Sequence, residues 1–87
     1  MIVKYNHKTD LMYIYFTLNV PNIQVQTPHE HISKFVLKTN REHIIGYEIE
    51  SAEQNLQYIK TKLGLSSTQV QEVINCFDQE KTKMRAK

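Results

Sequence analysis

His29-Glu30-His31 is the sharpest local signal for chemistry in the sequence. In extended chain, residues two apart point to the same side, so both imidazoles could ligate one metal ion, with His43 or His7 as a third ligand. Zinc sites take three or four ligands steadied by an outer layer of hydrogen bonds, and nothing here fixes a third. Two surface histidines in a loop after Pro28 are the plainer reading, and no metal is expected. Acid–base chemistry of the ribonuclease type needs a positioned base and acid, for which His7, His43, Tyr47 and Glu48 are available. No spacing brings two of them to one cleft. Cys76, beside Phe77, has no neighbouring His or Lys in sequence to lower its thiol pKa, so it reads as a small helix-flank residue. With only Gly46 and Gly64, the chain has no glycine-rich phosphate loop. The expectation is therefore no enzyme and no cofactor.

The tyrosines point to recognition instead. Tyr13, Tyr15, Tyr47 and Tyr58 could form an amphipathic patch, because a tyrosine ring buries area while its hydroxyl stays wet. Taken singly, each reads better as an ordinary core-edge residue. Taken together, Tyr13, Tyr15 and Tyr47 are the expected sheet-face contacts to a partner. Val70, Val73, Ile74 and Phe77 stand at i, i+3, i+4 and i+7, the stripe of an amphipathic helix, and are the expected helix-docking contacts. Met84 lies seven residues further along the same stripe.

These residues need elements to hold them. Met12, Ile14, Phe16 and Leu18 alternate with Leu11, Tyr13, Tyr15 and Thr17, so residues 11–18 read as a central strand, bulky on both faces. Residues 1–5 precede it as a strand, through a polar turn from Asn6 to Asp10. After the turn at Pro21, residues 23–27 place Ile23 and Val25 inward and Gln24 and Gln26 outward, and Pro28 ends that strand. In residues 32–38 the expected inward side is Phe35 and Leu37, with Lys34 and Lys38 outward on the Val36 side. The turn 39–42 lacks glycine, leaving Asn40 to take the left-handed conformation. Residues 43–50 then put Ile45, Tyr47 and Ile49 on one face, with Gly46 marking a bulge or a close approach by Tyr13 or Tyr15. After Ser51 the period changes from two to near four. Ser51 with Gln54 predicts a capping box, Leu56, Ile59 and Leu63 a helical stripe, and Gly64 its stop. Ser66 with Gln69 predicts a second box and a second helix. The whole reads as an α+β domain: a five-stranded antiparallel meander followed by two C-terminal helices packed on one face. One chain's helices cover one face of such a sheet, and the surplus apolar surface calls for another protein or a second copy, as in a homodimer.

Size and charge bound the rest. Eighty-seven residues make one domain with a thin stability margin, and a single cysteine gives no disulfide. The absence of a disulfide fits a reducing cytoplasm, and residues 1–11 show no apolar run of a secretory signal. No stretch approaches the ~20 apolar residues of a membrane span, so no membrane association is expected. Residues 1–80 carry seven Lys/Arg against nine Asp/Glu, while Lys81, Lys83, Arg85 and Lys87 crowd the last seven positions. The body, residues 1–80, is thus mildly acidic, and 81–87 is expected to be an unstructured basic tail. The alternative function is that of a nucleic-acid-associated protein using the C-terminal helix and that tail.

Tyr5-Asn6, Asp10-Leu11-Met12-Tyr13-Ile14, and Gly46-Tyr47-Glu48-Ile49 followed by Ser51-Ala52 come in an order and spacing that resembles the YuzE-like family of small bacterial and phage domains of unknown function. The resemblance covers about residues 1–52. Asn6 stands where the family has Asp, the 39–42 turn lacks its acidic residues and glycine, and the two-helix end is longer than in a typical member. The resemblance implies a twisted antiparallel sheet with a helix across it and no activity. Some members look like partners in toxin–antitoxin-type gene pairs, which implies a small protein partner or inhibitor.

Overall fold

The computed structural model describes residues 1–85. Its strands are β1 (Ile2–Asn6), β2 (Leu11–Tyr15), β3 (Ile23–His29), β4 (Ile32–Leu37) and β5 (Ile44–Ile49), followed by helices α1 (Leu56–Lys62) and α2 (Ser67–Arg85). All strand pairs are antiparallel, and the order across the sheet is β1-β2-β5-β4-β3. Sequential neighbours pair in two runs, β1-β2 and β3-β4-β5, which join at β2 and β5. Residues 16–22 carry the chain from β2 to the far edge, interrupting the meander once. Met12 and Ile14 of β2 and Tyr47 and Ile49 of β5 are all buried, so this join puts the most apolar surface at the centre of one face.

Both helices lie on that face. Two cross-strand rows form it: Val3–Ile14–Tyr47–Lys34–Gln26 and Tyr5–Met12–Ile49–Ile32–His29. Ile59 and Leu63 of the α1 segment and Val73 and Phe77 of α2 complete the core with Ala52. The Phe77 ring sits 4.8 Å from that of Tyr5. The Tyr47 hydroxyl donates to the Leu63 carbonyl at 3.4 Å. The Cys76 thiol donates to the Val3 carbonyl at 3.6 Å, so α2 also screens the β1 edge.

The second capping box forms in both directions: the Gln69 amide donates to Ser66 Oγ (3.2 Å) and the Ser66 amide to Gln69 Oε1 (2.9 Å). Gly64 follows α1 at φ 71°, the left-handed exit expected of it. The first box does not form. Ser51 is itself left-handed (φ 50°), and α1 begins only at Leu56, after Asn55. Asp10 accounts for this: its carbonyl accepts from the Ala52 amide (3.0 Å) and its Oδ1 from the Glu53 amide (3.0 Å) and the Tyr5 hydroxyl (2.6 Å). The donors that a Ser51 cap would serve are bonded from the first hairpin, forty-three residues back.

Other expectations are corrected by the same geometry. Pro28 lies within β3, at a register shift on an edge strand, where a missing N–H costs no ladder bond. Asn40 is not left-handed; its Oδ1 and carbonyl instead accept from the Glu42 and His43 amides, and Asp10, Asn19 and Asn22 take positive φ. The end of the chain does not turn into an unstructured tail at residue 81: α2 continues through Arg85, with Lys81 on Glu53 (2.8 Å) and Lys83 on Glu80 (3.1 Å). The Met84 side chain and Lys87 lie outside the described part of the molecule. No helix among the described residues is long and apolar enough to cross a membrane.

Candidate functional site

Turning the sheet over exposes the more unusual surface. Strand residues alternate between faces, so the outward row reads Ile2–Tyr15–Gly46–Phe35–Val25 across all five strands. Beside it runs Lys4–Tyr13–Glu48–Ser33, and on the other side the pair Leu37–Ile23. Leu18 and Ile45 line a shallow depression with Tyr15, Phe35 and Ile23. No described element lies across these residues. Ile2, Leu18, Ile23 and Val25 are 39, 54, 45 and 56% exposed. Monomer surfaces rarely leave so many large apolar side chains adjacent and bare.

The inward and outward assignments for β3 and β4 are therefore reversed from expectation. Ile32 and Val36 are the buried residues of β4, Phe35 and Leu37 lie on the open face, and Ile23 and Val25 of β3 are exposed while Gln24 and Gln26 are half-buried on the helix side. Ile45 leaves the side of Tyr47 and Ile49 because the β4–β5 register shifts there: Phe35 pairs Gly46 and Val36 pairs Ile44, leaving Ile45 as the extra residue of a bulge.

Gly46 is the low point of the open face, and both readings of it hold. It adjoins the bulge, and Tyr15 leans across it: a Cβ there would lie 2.8 Å from Tyr15 Cδ1 and would collide with the Ile14 carbonyl oxygen. Tyr15 stacks between Tyr13 (6.0 Å) and Phe35 (6.4 Å), making an aromatic spine. Burial, then the Glu48 charge, raise the Tyr15 hydroxyl pKa.

The expected contact residues separate. Tyr13 and Tyr15 stand together on the open face. Tyr47 is on the other side, 3% exposed beneath the helices, and is closed to any partner. Val73 and Phe77 are likewise buried in the chain's own core, with Val70 and Ile74 half-buried beside them. The helix stripe docks on its own sheet. Reading the sequence alone missed Ile23, Val25, Phe35 and Leu37 as open-face residues.

The catalytic and metal candidates do not converge. His29 ends β3 on the helix side, its ring 5.0 Å from Tyr58 and 5.8 Å from His31, and its Nδ1 accepts the His31 amide. No group of three or more His, Cys, Asp or Glu suited to a metal occurs among the described residues. His7 sits 3.6 Å from Glu80, His43 ends the 39–42 turn, Glu48 is on the open face and Tyr47 in the core. Burial, followed by the Glu80 charge, raises the Cys76 thiol pKa, which disfavours the thiolate.

No family model, curated protein or solved structure matches this chain.

Proposed function

We propose that this chain is a non-enzymatic protein-binding module whose docking surface is the open face of its sheet. One observation carries the reading: the helices cover one face, while the other presents Ile2, Tyr13, Tyr15, Leu18, Ile23, Val25 and Phe35 as a continuous, largely apolar surface. Stacked tyrosines at its centre supply rigid rings with hydroxyls free to bond a partner. Lys4 and Glu48 balance each other's charge there, so the face offers no field to attract a phosphate backbone. At the helical end, Lys81 and Lys83 are already engaged by Glu53 and Glu80. The YuzE-like resemblance of residues 1–52 belongs to this proposal, as does a role as small partner or inhibitor of another protein.

Leu18→Asp/Val25→Asp tests it. These are the two most exposed of the large apolar side chains on the face, so the variant should keep its fold. Tagged wild type and variant are compared by affinity capture from cells, with and without nuclease. A protein captured by wild type and lost in the variant is the expected result. Capture that is unchanged in the variant, or that disappears with nuclease, refutes it.

A further inference from the structure

The charges on the open face say what docks there, given that it is a docking face at all. Lys4, Tyr13 and Glu48 are consecutive in one cross-strand row, so Lys4 and Glu48 each stand one strand spacing, about 4.8 Å, from Tyr13. Neither makes an ion pair among the described residues. The same arrangement recurs one row away, where Ile2 and the low point at Gly46 flank Tyr15.

We infer that the occupant is a second copy of this chain, packed face to face about a two-fold axis running along β2. That axis exchanges the positions of β1 and β5. It brings Lys4 of each copy opposite Glu48 of the other, twice over, and lays Ile2 of each copy over Gly46 of the other. Tyr13 and Tyr15 meet their own counterparts at the centre.

Alternative axes are worse on charge. An axis along β5 sets Glu48 against Glu48, a like-charge contact in a partly dry interface. An axis across the strands keeps each strand over its own copy and never brings Lys4 to Glu48. Packed sheets lie about 10 Å apart, a gap that an extended Lys and Glu together can bridge. Aligned sheets cross at up to about 30°, which would incline the axis to β2 by about half that and disturb rows far from it most, and Lys4 and Glu48 are only one strand away.

The size of the contact sets the strength. Three overlapping strands span roughly 15 Å by 17 Å, which is below the standard protein interface. The dimer is therefore expected to be a weak one. The β3–β4 wing, with Ile23, Val25 and Phe35, projects beyond the overlap and stays available to a different protein.

Sedimentation equilibrium from about 10 µM to 1 mM, at low salt, tests this with wild type, Lys4→Glu, Glu48→Lys and the double reversal. Each single reversal should weaken dimerisation about tenfold or more, and the double reversal should return it to within about threefold of wild type. Thermal melts check folding; if a reversal fails to fold, Lys4→Gln and Glu48→Gln replace it and should each weaken the dimer. A monomeric wild type at 1 mM overturns the inference, as do reversals without effect or a double variant that does not recover. Those failures stay separate from failure of the docking face itself. If wild type is monomeric but captures another protein that Leu18→Asp/Val25→Asp loses, the face stands and the second copy does not. If wild type is monomeric and no captured protein depends on Leu18 or Val25, both fall.

Discussion

Gly46→Ala measures how tightly β2 and β5 are joined beneath the open face. The added methyl meets two obstacles, the Tyr15 ring edge and the Ile14 carbonyl oxygen. The ring can swing away at small cost. The carbonyl cannot, because it belongs to the backbone of the adjoining strand, where Tyr15 pairs Gly46 and Ile14 pairs Tyr47. Relief requires the two strands to part locally at the centre of the sheet. Overpacking of this kind costs about 1–3 kcal/mol, against which the lower chain entropy of alanine in the unfolded state returns about 0.4–1 kcal/mol. We expect a net loss of about 1.3 kcal/mol. At an m-value of about 1 kcal/mol per molar, that lowers the urea midpoint by about 1.3 M, and the melting temperature falls by about 8 °C. Gly64→Ala is the control. Nothing lies within 4 Å of a Cβ there, so its cost is the left-handed backbone alone (φ 71°), about 1 kcal/mol. Urea titrations followed by far-UV circular dichroism give both numbers. A Gly46→Ala protein as stable as wild type, or more so, would refute the close approach and the β2–β5 register that creates it.

The Asp10 node gives further predictions. Asp10→Ala loses the Tyr5 and Glu53 bonds and strains a left-handed position (φ 54°), so urea titration should show a loss of about 3 kcal/mol, whereas Asp10→Asn, which tolerates that backbone and keeps an acceptor, should lose about 1 kcal/mol. Burial, then the hydrogen bond to Asp10 and the charges of Asp10 and Glu53, raise the Tyr5 hydroxyl pKa. The unfolded chain therefore gives up that proton first, and stability that is constant below about pH 10 should fall as pH rises beyond it. Tyr5→Phe should flatten that alkaline loss in melts taken between about pH 8 and 11.5, and an unchanged slope would count against the buried hydroxyl. Ser66→Ala breaks one arm of the capping box and should cost about 1 kcal/mol by urea titration, with no change in the mass of any complex formed through the open face.

What the sequence makes legible here follows from the range of the interactions involved. Strands, the second helix, its capping box and the Gly64 stop rest on residues within a turn of one another, and they are where local pattern puts them. The failed Ser51 cap depends on Asp10, a partner that no local pattern reveals. The reversal of β3 and β4 has a different origin. A period of two separates Ile23 and Val25 from Gln24 and Gln26, but it carries no information about which set faces inward. The usual rule that apolar residues point inward supplies that choice, and the rule fails here because α1 and α2 lie on the opposite side of the sheet. Nothing in the register forces this. The helix face already has its fill of apolar residues from β1, β2, β4 and β5 (Val3, Tyr5, Met12, Ile14, Ile32, Tyr47 and Ile49) and from the helices. A chain that needed only to fold alone would gain by placing glutamine and lysine on the bare side of β3 and β4. This one places Ile23, Val25, Phe35 and Leu37 there and puts Gln24, Gln26 and Lys34 on the helix side. On the proposed reading, the apolar residues that break the inward rule are the ones a partner would cover, and the failure of the rule and the candidate site then have one cause.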